Sequence, residues 1–408
     1  MGSRHANILG KSFSYLELYE NQDLPRWDEI CAYCQKIGFD YVTLPPPFAP
    51  GQKGDAFLTG DIEFAHPTLA GLAGGARSAK TVDVIETLSQ TCRAHGLGIV
   101  FDIVIDRADA RGMLVSNNRE LFDDALSESL NPRSLRATAG AATARFDNGG
   151  QLERLIALWA GCLGALLTVG ASGFRFLNPG AVATPPWRLL HTTLRDAFSE
   201  MISLANTPGM SWQAIGGLRD CEFDGAFCSL PWWDLRSAWF ADEINLLHRI
   251  GCALAAPRRF GPDCSEGPAA DAARERQQLH IAAAIADGLF IPLDFGPSQI
   301  GGGAQTRELC ATIEQFARIK RRGTQGEMRA LCSAGGAITA LVHRNLSNTV
   351  ESETAVVTLI NRDLSDSEEI DVPLESLDST SGVALGNPSR LNGSGDPCPP
   401  WSRVRCAW

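Results

Sequence analysis

One short pattern keeps returning along this chain: a helix-spaced apolar stripe, then a glycine, then a brief apolar run. Trp27, Ile30, Cys31, Cys34 and Ile37 fall at helical spacing, Gly38 follows, and Phe39–Leu44 reads as a buried strand. Val82, Ile85, Leu88 and Cys92 repeat the stripe, with Gly96 as the cap and Gly98–Ile105 as the strand. Leu152, Leu155, Ile156, Trp159, Leu163 and Leu166 repeat it again, closed by Gly170 ahead of Gly173–Leu177. The same reading predicts a helix around Trp187–Ile202, a strand at Trp212–Ile215 and a helix over Gln277–Asp287. A strand at Leu289–Pro292 and a helix over Arg307–Arg321 complete the series. Strands separated by helices pair in parallel, and such sheets are covered on both faces. The number of units favours a closed (β/α)8 TIM barrel over an open doubly wound sheet. No Gly-x-Gly-x-x-Gly follows an early strand, which weakens a dinucleotide-binding alternative.

Near residue 326 the pattern changes. Ile338–His343, Ala355–Asn361 and Glu369–Val372 are short, β-rich and separated by Asn, Ser and Asp. The expected division is a barrel over residues 1–325 and a small C-terminal antiparallel β-sandwich over 326–408. Its tail from Gly386 to Pro400 is expected to be irregular.

The formal net charge of −11 argues against a nucleic-acid or anionic-membrane partner. Met1–Lys11 lacks the apolar core of a signal peptide, and no apolar run approaches the roughly 18 residues of a membrane span. None of the 7 histidines falls in a metal-ligand spacing, and no metal or cofactor is expected. The Cys-x-x-Cys of Cys31 and Cys34 lies on a helical apolar face, with no second pair at zinc spacing. Free buried thiols in a reducing cytoplasm are the expectation.

Several segments, taken in order, resemble glycoside hydrolase family 13, the α-amylase family, and within it the bacterial glucan maltosyltransferases that use maltose 1-phosphate. Phe39-Asp-Tyr-Val-Thr-Leu-Pro-Pro resembles the first barrel strand of that subgroup with the prolines after it. Gly60-Asp-Ile-Glu-Phe-Ala-His-Pro-Thr-Leu resembles the loop leading toward the donor site, which makes His66 a candidate sugar contact. Gly96-Leu-Gly-Ile-Val-Phe-Asp-Ile-Val-Ile-Asp resembles the strand of the first signature aspartate, here Asp102. Gly173-Phe-Arg-Phe-Leu-Asn-Pro resembles the nucleophile strand, with Arg175 and Asn178 as substrate-binding candidates. Phe227 to Phe240, with Trp232, Trp233 and Trp239, resembles an aromatic segment that follows the acid–base strand.

The resemblance also implies what is missing. Enzymes of this type use two carboxyl groups about 5–5.5 Å apart, one nucleophile and one general acid. Leu177 stands at the nucleophile position, and Gly217, or Gly216 in a shifted register, at the acid–base position of Trp212-Gln-Ala-Ile-Gly-Gly-Leu. Arg107 and Gly180 stand where many members carry sugar-binding histidines. Ala255-Ala-Pro-Arg is a poor match to the segment of the third carboxylate, with Asp263 the acid nearby. Asp220, Glu222, Asp224 and Asp294 are candidates for displaced acids and otherwise read as solvated loop residues. Asp102 reads either as a sugar-site anchor or as a buried acid satisfied by Arg175, and a direct contact between the two is expected. Trp232, Trp233 and Trp239 read chiefly as packing, with one of Trp232 and Trp233 exposed as a sugar platform.

Three functions follow. The first is a catalytically silent domain that binds α-1,4-glucan or malto-oligosaccharide, or supports an active glucan maltosyltransferase as partner or fused domain. The second is an active enzyme using displaced carboxylates, and the third a non-binding scaffold or oligomerisation barrel.

Overall fold

The structure is a computed structural model, and it describes residues 8–17, 24–51, 54–123, 140–146, 149–257, 269–293, 304–321, 328–332, 338–344, 355–362, 368–373 and 401–406. Strand and helix alternate through the first three quarters of the chain. The order is β1 (Ser12–Leu16), α1 (Trp27–Ile37), β2 (Tyr41–Leu44), α2 (Thr81–Ala94), β3 (Gly98–Ile103), α3 (Gly149–Thr168), β4 (Gly173–Leu177) and α4 (Thr184–Arg195). It continues with β5 (Ile202–Asn206), α5 (Trp212–Gly217), β6 (Gly225–Phe227), α6 (Trp239–Leu247), β7 (Cys252–Ala255), α7 (Ala269–Ile285), β8 (Gly288–Leu293) and α8 (Ala304–Arg321). The strands close into a parallel barrel in chain order, with β1 hydrogen-bonded to both β2 and β8. The expected TIM barrel is therefore present.

Period-two alternation divides each strand between two environments. Phe13, Tyr15, Val100, Ile202, Leu204, Phe227, Leu254 and Phe290 form one buried cluster inside the barrel. Leu44, Phe101, Ile103, Phe174, Phe176 and Ala205 point the other way and join the helix stripes in a second cluster. The stripes are those legible in the sequence: Trp27, Ile30, Cys31, Cys34 and Ile37 are all buried on α1. Gly38 ends α1 at φ +98 and Gly170 ends α3 at φ +113, left-handed backbone in which a side chain is strained. α3 is long and apolar enough by composition to cross a membrane, yet Leu155, Ile156, Trp159, Leu163, Leu166 and Leu167 are buried in the protein interior.

Three expectations are corrected. Tyr41–Leu44 is the second barrel strand rather than the first, because Ser12–Leu16 pairs beside it ahead of it in the chain. The helix around Trp187–Ile202 stops at Arg195, and Ile202–Asn206 is a barrel strand with Ile202 and Leu204 in the interior cluster. The expected strand at Trp212–Ile215 is the helix α5. Ser211 caps it, its hydroxyl oxygen accepting the Ala214 N–H at 3.2 Å, so the chain enters a helical turn rather than extending.

Antiparallel sheets follow the barrel. β9 (Met328–Cys332), β10 (Ile338–Arg344) and β11 (Ala355–Asn361) form one, and β12 (Glu368–Pro373) pairs with β13 (Trp401–Cys406) in another, an arrangement that fits a sandwich. The expected irregular tail from Gly386 to Pro400 lies outside the described residues. Side chains tie the first sheet to the barrel. The Asn245 amide on α6 donates to the Met328 carbonyl and accepts its N–H, at 2.8 and 2.9 Å. Gln277 on α7 donates to the Asn361 carbonyl at 2.7 Å. The Thr339 hydroxyl donates to the buried carbonyl of Leu235 at 2.7 Å, and Leu235 itself holds a left-handed φ of 60.

Two outcomes follow from this packing. Thr339→Val removes the donor to a buried carbonyl and is expected to cost about 1–3 kcal/mol in chemical denaturation. Cys31, Cys34 and Cys92 are fully buried, and burial pushes the Cys34 thiol up to about 12 despite a hydrogen bond from Ser14 that opposes it. Native protein at pH 8 should leave these thiols unlabelled by a disulfide reagent until denaturant is added, as mass spectrometry of the labelled peptides would show.

Candidate functional site

In a parallel barrel the connections that follow the strands gather at one end, the mouth. The centre of that end is built on β3 and β4, which pair with Asp102 opposite Arg175. Both side chains point into the barrel, where Asp102 is fully buried and Arg175 nearly so. Arg175 donates from Nε to Oδ1 of Asp102 at 2.7 Å and from Nη2 to Oδ2 at 2.8 Å, so the expected contact is present and bidentate. Its guanidinium lies over the rings of Phe290 at 4.4 Å, Tyr15 at 4.6 Å and Phe227 at 5.5 Å. Burial works against the charge on Arg175. The attraction and hydrogen bonds of Asp102, joined by Tyr15, outweigh it and raise the group above its ordinary value. Burial likewise pushes the Tyr15 phenol well up, and the Asp102 charge adds to the effect.

Two residues above Arg175, Leu177 ends β4 and is 6% exposed. Its register partner on β5 is Asn206, partly exposed at the end of that strand. The strand beside Leu177 thus ends in an amide. Gly217, expected at the end of the acid–base strand, instead closes α5, where its carbonyl accepts the Thr184 hydroxyl at 2.7 Å. This displacement is the consequence of the helix at Trp212: the strand that precedes it supplies the mouth residue. β7 ends in the buried Ala255, with Ala256 next. Asp263 and Asp294 lie outside the described residues.

A second polar group sits just past β3. The Oδ2 atom of Asp106 accepts from Arg107 Nε at 3.1 Å, from Arg107 Nη2 at 3.0 Å and from the Asn178 amide at 2.8 Å. Its Oδ1 is buried with no hydrogen-bond partner among the described residues. Burial pushes the Asp106 carboxyl up, while Arg107 and Asn178 act in the opposite direction. Asn178 takes a left-handed φ of 53 to reach it. Arg107 is buried by this pairing.

The other candidates are spread along the connections. His66 is buried and caps the helix Pro67–Leu72, its Nδ1 accepting the Thr68 N–H at 3.3 Å. Trp233 donates from its indole to Glu243 at 2.8 Å and packs against Trp239 and Phe240. Trp232 is 42% exposed, as expected of one of the pair. Asp224, read from the sequence as a solvated loop acid, is buried. It precedes β6 at the end of the barrel opposite the mouth, paired with Arg195 at 2.9 Å and accepting the Ser203 N–H at 2.7 Å. Its position beside two strand starts dictates that burial. Sequence reasoning missed Asn206, Asp106 and Trp212, which is 51% exposed. The capping serine ahead of Trp212 was the available signal for the last.

The Arg175–Asp102 pair gives a test of the interior. Asp102→Asn leaves a buried guanidinium without its counter-charge and is expected to cost about 3–5 kcal/mol in denaturation, whereas Asp102→Leu combined with Arg175→Met recovers most of that loss.

No family model matches the chain. Over 282 residues it is 30% identical to the α-1,4-glucan:maltose-1-phosphate maltosyltransferase of Burkholderia pseudomallei, a match that covers 66% of this chain and 24% of that protein. The chain thus spans about a quarter of the length of the curated relative it matches. Among solved structures, the acarbose-soaked debranching enzyme of Nostoc punctiforme superposes with a TM-score of 0.65 at 14% identity, covering 99% of this chain and 97% of that one. The maltogenic α-amylase AmyB of Thermotoga neapolitana gives 0.61 at 12% identity, with 90% of each chain covered. The cyclic α-maltosyl-(1→6)-maltose hydrolase of Arthrobacter globiformis gives 0.60 at 14%, covering 91% of this chain and 94% of that one. In fold this chain resembles the α-amylase family, glycoside hydrolase family 13, and in sequence it resembles a glucan maltosyltransferase that uses maltose 1-phosphate.

Proposed function

We propose that this chain is a non-catalytic α-amylase-type barrel domain of carbohydrate metabolism that binds α-1,4-glucan or malto-oligosaccharide, or that supports an active glucan maltosyltransferase. In this reading a barrel domain over residues 1–325 is followed by a sandwich domain over 326–408, and the protein works in the cytoplasm without metal or cofactor. The observation that carries it is the pair of adjoining strand ends at the mouth: Leu177 beside Asn206. A glycosyl ester needs a carboxylate to attack the anomeric carbon, and a second carboxyl about 5–5.5 Å away to protonate the leaving oxygen. An isobutyl group can do neither. An amide can donate a hydrogen bond but cannot release its proton at neutral pH.

Three buried acids do not offer substitutes in this reading, and Asp220 and Glu222 precede β6 at the end of the barrel opposite the mouth. Asp102 is engaged through both oxygens by Arg175, and Asp106 by Arg107 and Asn178. Asp224 lies at the opposite end of the barrel, in its own ion pair. These pairings weigh against an enzyme using displaced carboxylates. What remains at the mouth suits binding: hydrogen-bond donors on Asn206 and Asn178, with an exposed indole on the rim at Trp232.

Purified protein incubated with maltose 1-phosphate and maltoheptaose is expected to release no phosphate above background. Relative to an active maltosyltransferase, the loss should be on the order of 10⁴-fold or more. Calorimetry of the same preparation with maltoheptaose is expected to show saturable binding. Transfer at an ordinary enzymatic rate would overturn the proposal, and the absence of any glucan binding would favour a scaffold.

A further inference from the structure

Among the described residues, the large apolar side chains left substantially exposed are Met113, Leu189, Trp212 and Trp232. Two of these are tryptophans, 51% and 42% exposed, and they lie on consecutive connections, after β5 and after β6. Both connections leave strand ends at the mouth. β5 and β6 are neighbours in the barrel, and α5, which opens with Trp212, lies against α6, which follows the Trp232 turn. Topology therefore brings the two indoles to one sector of the rim.

Neither indole rides on a loose segment. Trp232 ends a single tight turn, its N–H donating to the Ser229 carbonyl at 2.9 Å. Glu243 on α6 clamps both sides of that turn, accepting the Ser229 N–H at 3.2 Å and the Trp233 indole at 2.8 Å. Beyond it, Leu235 is held by Thr339 from the C-terminal sheet. Trp212 is the first residue of a helix capped by Ser211. Indoles presented on fixed backbone bind with little ordering cost.

Their surroundings select the occupant. Gln213, Asp234, Arg236 and Ser237 are exposed beside them in the chain and offer donors and acceptors of both signs. A nucleic acid would meet a chain of net charge −11. A hydrophobic protein partner would require a contiguous apolar patch, whereas Met113 and Leu189 sit on other elements. A neutral polyhydroxylated chain matches what is present, because a pyranose offers a flat C–H face to an indole and hydroxyls to a mixed polar margin. We infer that Trp212 and Trp232 form a two-point stacking surface for an α-glucan chain on the rim above β5 and β6. The inference rests on the glucan-binding reading above and assigns it a place that does not depend on Leu177 or Asn206.

The test is calorimetry of the 408-residue chain with maltoheptaose, run on the parent, on Trp212→Ala, on Trp232→Ala and on the double variant. Both positions are exposed, and circular dichroism checks that the fold is kept. Each single variant is expected to weaken binding by about tenfold and the double variant to abolish it within the range measured. If the parent itself binds no maltoheptaose, the glucan reading fails and this inference with it. If the parent binds and both single variants stay within about twofold of it, the stacking surface is refuted while the glucan reading stands. Sedimentation velocity supplies the remaining arm: a change of self-association in the variants with unchanged maltoheptaose affinity would make this a protein interface and overturn the assignment.

Discussion

A full positive charge at the centre of an aromatic interior can persist only if something opposite meets it, and Asp102 is what meets Arg175. The pair joins β3 to β4 through two short hydrogen bonds in a space otherwise lined by Tyr15, Phe227 and Phe290. Removing either partner strands the other in a poorly polarisable surrounding, so the two residues are physically one unit. That unit also fixes which residues stand above it. With Arg175 pointing inward, period two sends Leu177 inward as well, to the level where the mouth begins. The composition of the mouth is thus read against a fixed interior, and its aliphatic lining belongs to the architecture rather than to a local distortion.

Much of the architecture was legible because it follows from spacing alone. The stripes of α1, α2 and α3 and their closing glycines predict elements that the structure contains. The spacing misleads between Phe198 and Gly217, where two short elements occupy about twenty residues. There the five-residue strand Ile202–Asn206 is too short to display alternation against a helical background. Trp212–Ile215, rich in β-formers, was drawn into a strand although Ser211 favours a helix start. Gly217, expected on a strand, accordingly closes a helix, eleven residues beyond the strand end at Asn206. Contacts between distant segments carry no local periodicity: Arg175 with Asp102 is legible only because a buried charge demands a partner, and Asp106 with Asn178 has no such signal.

Similarity to known proteins works at two depths here. The barrel superposes on amylases and a debranching enzyme at identities of 11–15%, which speaks to chain path alone. The 30% match to a maltosyltransferase spans 282 residues and falls on a quarter of that protein's length. The interior ion pair, the aromatic lining and the helix stripes together form the shell of the barrel. At the mouth, residue identity rather than chain path sets the chemistry, and Leu177 and Asn206 are the residues that stand there.

The hydrogen bonds between barrel and first C-terminal sheet end on main-chain atoms. Asn245 and Gln277 reach from the barrel to main-chain atoms of the sheet, and Thr339 reaches back to a main-chain atom of the barrel. A backbone carbonyl presents the same lone pairs whatever residue bears it. Apart from Thr339 and the core side chains Met328, Leu341 and Ile360, positions of the sheet are therefore free to change over evolutionary time without loosening the junction, so long as strand geometry is kept. Divergence should accumulate there faster than along the barrel helices, leaving a terminal module that is conserved in attachment but not in text.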